Sequence, residues 1–128
     1  MDIEWLPLSV PSWRSMAGHV VRGAEEPAEC SVYFFQHHQY DLIDLAIVEQ
    51  RDLRIHAHAS LTGDLDSLGI DPVTADAWLR FTGIRVYLEA ATAADSALAR
   101  LQGFTDITGL SYSPTPNSPS FRFAPADS

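Results

Sequence analysis

Four of the five histidines fall into two pairs whose spacing suits metal chemistry. His56 and His58 lie two residues apart in an alternating segment, so in a β-strand both imidazoles point to the same face. His37 and His38 end an earlier predicted strand. Imidazoles placed in this way, completed by a carboxylate, are ligands for Zn²⁺ or another first-row metal. The four residues therefore predict a zinc site or a small hydrolase, with a solvated, pH-sensing sheet face as the competing interpretation.

The charge of the chain is strongly negative. Seventeen Asp and Glu residues oppose eight arginines, there is no lysine, and the formal net charge is −9 over 128 residues. A surface of this sign repels phosphate and attracts Lys/Arg-rich faces, which favours a basic protein as partner over a nucleic acid or an anionic membrane. The excess is concentrated between residues 41 and 76. The predicted partner-binding residues are Asp41, Asp44, Glu49, Asp52, Asp64 and Asp66.

Nucleophilic catalysis has little support in the sequence. There is no G-x-S-x-G elbow and no glycine-rich phosphate loop, and the single cysteine, Cys30, precedes an apolar run, where a small buried side chain is the usual role. One cysteine allows neither an intramolecular disulfide nor a thiolate metal cage. We therefore expect a protein of a reducing compartment with no catalytic residue and, zinc apart, no cofactor.

Three consecutive aromatic residues form the clearest candidate contact motif. Tyr33, Phe34 and Phe35 place rings on both faces of one predicted strand. Either both faces are covered by the rest of the protein, or a ring is exposed as an anchor for a partner.

The elements that must position these residues are mostly strands. Strands are predicted at residues 3–8 and 31–37, and across 40–61 with a break near residues 50–52. The last part of that region alternates cleanly, with Leu53, Ile55, Ala57, Ala59 and Leu61 on one face and polar residues on the other, which predicts a half-buried strand. Further strands are predicted at 84–90, 106–112 and 120–124.

Three helices are predicted between these strands. Ser12 precedes a helical pattern over 13–21, Asp71 and Pro72 open a helix that ends at Gly83, and residues 92–95 resemble a capping box for a helix that ends at Gly103. The resulting order is βαβββαβαββ. It predicts one α+β domain over residues 1–128, a mostly antiparallel sheet with about three helices packed mainly on one face.

Three functions fit these patterns. The first is a small acidic binding protein that neutralises a basic protein partner, as bacterial immunity proteins and antitoxins do. The second is the histidine-based metal protein or hydrolase, and the third is a structural domain that forms homo-oligomers, for example a homodimer. The first residues show no positive segment followed by an apolar run, and no stretch approaches about 20 apolar residues, so a cytoplasmic location is expected.

Overall fold

Two antiparallel sheets form the framework of the protein in the computed structural model, which describes residues 1–4, 6–25, 28–88 and 93–126. The larger sheet contains β1 (Asp2–Glu4), β2 (Val20–Ala24), β3 (Glu29–Phe34), β4 (Gln36–Arg51), β5 (Arg54–Asp64) and β6 (Val73–Arg80). The smaller sheet contains β7 (Ile84–Val86), β8 (Leu110–Tyr112) and β9 (Phe121–Pro125), and the helix α1 (Ala94–Gln102) packs against it.

The predicted α+β fold with about three helices is wrong. Strands make up 50% of the structure and helix only 8%, and α1 is the one helix in the described part of the chain. The third predicted helix is the correct one. It ends at Gly103 as expected, while Thr92, the first residue of the predicted capping box, lies outside the described residues.

The segment 13–21 forms turns and the start of β2 because its polar backbone groups bond to β4. The amide of Gly18 donates to the Ile47 carbonyl over 2.7 Å, and the Ile47 amide donates to the His19 carbonyl over 2.9 Å. The amide of Met16 donates to the side chain of Gln50 over 2.8 Å. These long-range partners replace the i to i−4 bonds of a helix, so the helical spacing of Trp13 and Met16 marks buried residues of a turn instead.

The segment after Pro72 forms β6 because β5 supplies a complete antiparallel partner. Eight consecutive pairs run from Leu61 opposite Val73 to Arg54 opposite Arg80, without a bulge. The alanines of this segment favour a helix locally, but pairing along a neighbouring strand outweighs a local preference of a few tenths of a kcal/mol per residue, on the order of the helix-propensity differences. Sequence periodicity could not reveal that partner.

The long strand β4 organises the larger sheet. The order is β1-β3-β4-β5-β6, and β2 also pairs with β4. The first part of β4 pairs with β3 as far as Tyr40, its later part pairs with β2 from Ile43 to Ala46, and β5 follows it from Tyr40 to Arg51. The break predicted near residues 50–52 is confirmed as the β4–β5 turn.

Each sheet has its own apolar cluster. In the larger sheet Ile43 and Leu61, which are direct cross-strand partners, have no exposed surface, and the alternation predicted for β5 is confirmed by buried Ala57, Ala59 and Leu61. In the smaller sheet Phe123 of β9 packs with Ala97 and Leu101 of α1.

The two sheets are joined through Trp13. Its ring stacks on Phe81, just after β6, with centroids 5.4 Å apart, and its indole Nε1 donates to the Thr108 carbonyl over 3.0 Å. The side chain of Thr105 donates to the carbonyl of Val10 over 3.0 Å. Val10 and Trp13 therefore connect the larger sheet to the segment that follows α1.

Candidate functional site

The histidines predicted as metal ligands lie in two separate places. His37 and His38 follow the β3–β4 turn, where His37 is exposed and His38 is buried, as adjacent strand residues on opposite faces. His58 on β5 pairs with Ala46 of β4, eight residues beyond His38, or about 26 Å along the strand. Strand register therefore keeps the two pairs apart, and the described residues contain no group of three or more His, Cys, Asp or Glu arranged to hold a metal.

His56 and His58 do share one face, and Asp76 of β6 lies between them. The Asp76 carboxylate is 2.6 Å from His56 Nε2 and 3.5 Å from His58 Nδ1. The hydrogen bond from His56 is the main reason that the pKa of Asp76 lies below the usual range of an aspartate, with His58 adding to the effect. This carboxylate was missed by sequence reasoning, because only the β5–β6 register brings it opposite His58.

The lowered pKa gives a direct test of this cluster. In a pH titration of carboxyl carbon shifts, we expect Asp76 to titrate below the usual aspartate range, and His56→Ala to move its midpoint upward. A depressed folded pKa means that the stabilisation is present above the unfolded pKa, about 4, and is lost as pH falls through the folded value. His37→Ala, which alters a histidine on another strand pair, is the control and should leave the Asp76 midpoint in place.

Trp78 is the centre of a basic cluster beside this carboxylate. The ring of His56 stacks on the indole with centroids 5.0 Å apart and planes inclined by 16°. The guanidinium carbons of Arg51 and Arg54 lie 5.1 and 5.5 Å from the ring centroid. The register places Arg54 opposite both Arg51 and Arg80. Cations over the indole face hold the side chain in a defined position on an otherwise acidic protein.

The carboxylates predicted to bind a partner are dispersed over the large sheet. Asp44 accepts a hydrogen bond from the Gly23 amide over 2.6 Å, and Glu49 forms an ion pair with Arg51. Asp52 lies in the β4–β5 turn with a φ of +51°, and exposed Asp41 faces Gly63 across the ladder. Several of these carboxylates have a partner within the chain. Their role in binding another protein stays a prediction.

The acidic connection after β5 uses its carboxylates as internal acceptors. Asp64 accepts from the Gly69 amide over 2.8 Å, and the amides of Leu68 and Gly69 lower its pKa. Asp66 accepts from the Gln39 amide over 2.6 Å. Asp71, predicted as a helix cap, instead accepts from the amides of Gly63 and Asp64 over 3.0 and 3.1 Å. These bonds tie the connection to β4 and β5.

Cys30 lies in the core of the larger sheet. It is 5% exposed, and burial is the main cause that raises the pKa of its thiol. Its Sγ donates to the Tyr40 carbonyl over 3.5 Å. A protonated, buried thiol is a poor nucleophile, so this geometry supports the structural role expected from the sequence.

A groove of about 970 Å³ opens between the β4–β5 turn and the C-terminal segment. Trp13, Arg14 and Gln50 form part of its wall. The Gln50 side chain accepts from the Met16 amide and donates to the Trp13 carbonyl over 2.8 Å each. The amide group of Gln50 is thus used to fix the 13–16 turn.

The β3–β4 turn presents the three consecutive aromatic residues to solvent. Tyr33, Phe34 and Phe35 are 68%, 62% and 88% exposed, and we call them the aromatic tip. Phe34 pairs with Gln36, which leaves Phe35 alone in the turn with a φ of +62°. A bulky residue is strained by roughly 1–2 kcal/mol in this left-handed region, where Gly or Asn would be at ease. Neither burial nor turn geometry accounts for phenylalanine at this position.

No protein family, no curated protein and no solved structure matches the chain.

One face of the β1–β3–β4 unit adds carboxylates beside the aromatic tip. Glu4 of β1 is directly opposite Glu29 of β3, Asp2 is opposite Ser31, and Tyr33 continues the same face along β3. The Tyr33 ring meets the His37 ring edge-on with centroids 5.3 Å apart. A hollow of about 300 Å³ on this face is lined by Asp2, Glu4, Glu29, Cys30, Ser31, His37 and Gln39. We call these residues, without the buried Cys30, the acidic face. Exposed rings next to exposed like charges suit contact with a basic, partly apolar surface.

Proposed function

We propose that the protein is a small acidic, cytoplasmic binding protein that neutralises a basic protein partner by docking on it through the aromatic tip and the acidic face. The observation that carries the proposal is the exposure of Tyr33, Phe34 and Phe35 at the turn of the β3–β4 hairpin. Isolated exposed apolar residues are ordinary, but here three consecutive aromatic residues are exposed, with the Phe34 and Phe35 rings in contact at 5.1 Å and Tyr33 on the opposite face of the strand, and such a concentration of apolar surface marks interaction sites.

The area of the aromatic tip fits the centre of an interface. An aromatic side chain buries about 150–250 Å² when fully covered, so three rings at the observed exposure offer on the order of 400 Å². One partner in a standard interface contributes about 800 Å². A partner that covers both sides of the turn would therefore gain about half of its contact from the aromatic tip, and most of its affinity, since buried aromatic anchors carry most of the binding energy in such interfaces.

The charges would direct the encounter. Asp2, Glu4 and Glu29 lie beside the aromatic tip, and the net charge of −9 extends the attraction to a cationic partner. Electrostatic complementarity of this kind raises the association rate and makes it fall with ionic strength. In this proposal the acidic face contacts the partner next to the aromatic tip. The other predicted partner-binding residues contribute to the negative electrostatic potential that attracts the partner: Asp41, Asp44, Glu49, Asp52, Asp64 and Asp66.

The helix α1 is too short to span a bilayer. The described segments of the chain contain no other helix, and so none that is long and apolar enough to cross a membrane.

The proposal is tested by quantitative capture from a lysate of the source organism followed by titration of the captured protein. The variant Tyr33→Ser/Phe34→Ser/Phe35→Asn removes the rings, and Asn tolerates the positive φ at the turn. We expect it to weaken the complex by at least about 100-fold, because each anchor ring contributes roughly tenfold or more.

A matched variant removes exposed aromatic rings from elsewhere on the surface. Tyr87→Ser/Phe104→Ser removes two rings that are 65% and 73% exposed away from the aromatic tip, and it should change the dissociation constant by less than about twofold. A captured partner that is acidic, or one that binds the tip variant as tightly as the unaltered protein, would show the proposal to be wrong. Association rates of a Glu4→Lys/Glu29→Lys variant should be slower and less sensitive to salt.

A further inference from the structure

The groove between the β4–β5 turn and the C-terminal segment carries two opposite charges on its walls. Arg14 and Asp52 both line it, and both are exposed. Gln50 joins the two walls, because its Nε2 donates to the Trp13 carbonyl over 2.8 Å and to the Asp52 carbonyl over 3.2 Å. Arg14 directly follows Trp13 in the chain. The cation and the carboxylate therefore belong to two turns that are held together by one amide group.

The guanidinium of Arg14 is held in position by its neighbours. Its carbon lies 4.9 Å from the centroid of the Trp13 ring, which also stacks on Phe81. A terminal nitrogen of the guanidinium occupies the space beside Gly109, and a Cβ added to that glycine would overlap it. A guanidinium that stacks on an indole uses its face, so the N–H groups in its plane remain available to an anion.

Neither of the two charges is neutralised within the part of the chain that the structure describes. There the side chains of Arg14 and Asp52 form no hydrogen bond and no ion pair, with each other or with another residue. Asp106 also lies near Arg14, but the hydroxyl and the amide of Thr108 donate to its carboxylate over 2.7 and 2.9 Å. Two opposite charges that line one groove without pairing can each bind a charge of a ligand.

The rest of the groove limits the kind of ligand. Leu53 and Ala17 add aliphatic surface to the lining, and the volume of about 970 Å³ lies within the range of roughly 300–1,000 Å³ that is usual for small-molecule sites. The net charge of −9 repels a simple anion, whereas it does not repel a ligand without net charge. A ligand with one positive and one negative group therefore suits the groove better than an anion does.

We propose that this groove binds a small zwitterionic ligand with an aliphatic body, either an aliphatic amino acid or a short peptide with free ends. Its carboxylate accepts hydrogen bonds from the Arg14 guanidinium, and its ammonium group donates to the Asp52 carboxylate. Its aliphatic part contacts Leu53 and Ala17. The groove lies at the end of β4 opposite to the aromatic tip, so this site does not depend on the function proposed above.

Isothermal titration calorimetry with L-leucine and with leucyl-leucine tests the site. We expect at least one of the two to bind at one site per chain with a Kd below about 1 mM. The tighter of the two identifies the source of the ligand as an amino acid or a peptide. The N-acetylated form of that compound lacks the ammonium charge and its C-terminal amide lacks the carboxylate. Each analogue should bind at least about tenfold more weakly, because it loses a charge-assisted hydrogen bond.

Variants assign the two charges of the ligand to the two side chains. Arg14→Gln should weaken binding at least about tenfold and should bind the zwitterion and its C-terminal amide equally well. Asp52→Asn keeps a residue type that tolerates the φ of +51° at this turn, and it should bind the zwitterion and its N-acetylated form equally well.

Control variants make the same chemical changes away from the groove. Arg85→Gln on β7 and Asp2→Asn on β1 should leave the Kd within about twofold of its original value. The proposal is overturned if neither compound binds at concentrations up to about 10 mM. It is equally overturned if the analogues that lack one charge bind as tightly as the zwitterion, or if Arg14→Gln and Asp52→Asn leave its affinity unchanged.

Discussion

Leu61→Ala is expected to lower the free energy of unfolding by about 3 kcal/mol, within the range of roughly 2–5 kcal/mol seen for buried leucines. Leu61 has no exposed surface and packs with Ile43 in the cluster that also holds Cys30 and Tyr40. Removing most of its side chain leaves a cavity on β5, where Leu61 is paired with Ile43 of β4 on one side and Val73 of β6 on the other, so the site cannot collapse easily.

Leu65→Ala makes the same chemical change a few residues later and is the matched control. Leu65 is 60% exposed, so its replacement should alter the free energy of unfolding by less than about 0.5 kcal/mol. Urea unfolding followed by tryptophan fluorescence and by circular dichroism measures both variants. Equal losses for the two leucines would contradict the described core of the larger sheet.

Gly83→Ala is expected to lower the free energy of unfolding by about 3 kcal/mol or more, because the added methyl group has no room, whereas Leu61→Ala leaves a cavity. Gly83 has a φ of +126°, and a Cβ built on it would lie 2.5 Å from the Phe123 carbonyl oxygen and 3.2 Å from both the Cα and Cβ of Ala124. These are mainly backbone positions of β9, which a side-chain rotation cannot move away. An unfavourable backbone conformation and an overlap with the neighbouring strand therefore add together.

The control for Gly83 is Gly69→Ala. Gly69 has a φ of +85°, but a Cβ added there would have no heavy atom within 4 Å, so only the conformational penalty of about 1 kcal/mol applies. The difference between the free energies of unfolding of the two variants, measured with urea, gives the cost of the contact with β9.

A single domain, as expected from the length of the chain, should unfold in one transition. Leu61→Ala in the larger sheet and Gly83→Ala beside the smaller sheet should each shift that same transition.

The elements that could be predicted from the sequence are those set by local patterns. β5 alternates because one of its faces is buried, and buried Ala57, Ala59 and Leu61 match that pattern. The helix α1 carries Asp95 in its first turn and Arg100 in its last, which suits the helix dipole, and it ends at Gly103. β6 and the segment 13–19 could not be predicted, because the partners of their backbone groups lie on β5 and β4.

The candidate sites likewise combine features set by the local sequence with features set by the pairing of distant strands. Tyr33, Phe34 and Phe35 could be identified as a possible anchor from their order alone, but their exposure depends on the tight β3–β4 turn. The grouping of Asp76 with His56 and His58, and of three arginines near Trp78, depends on the register of three strands. The distance between the two histidine pairs depends on the length of β4, which no spacing in the sequence reveals.

Because β4 pairs with three other strands, it should tolerate few insertions or deletions. β4 changes its neighbour from β3 to β2 between Tyr40 and Ile43 while remaining paired with β5 throughout. Because successive strand residues point to opposite faces, one inserted residue at this changeover would turn Ile43 and Ile47 away from the core and alter every later pair with β5. We therefore expect homologous sequences to carry no insertions or deletions in β4, and to carry them instead in the loop at residues 113–120.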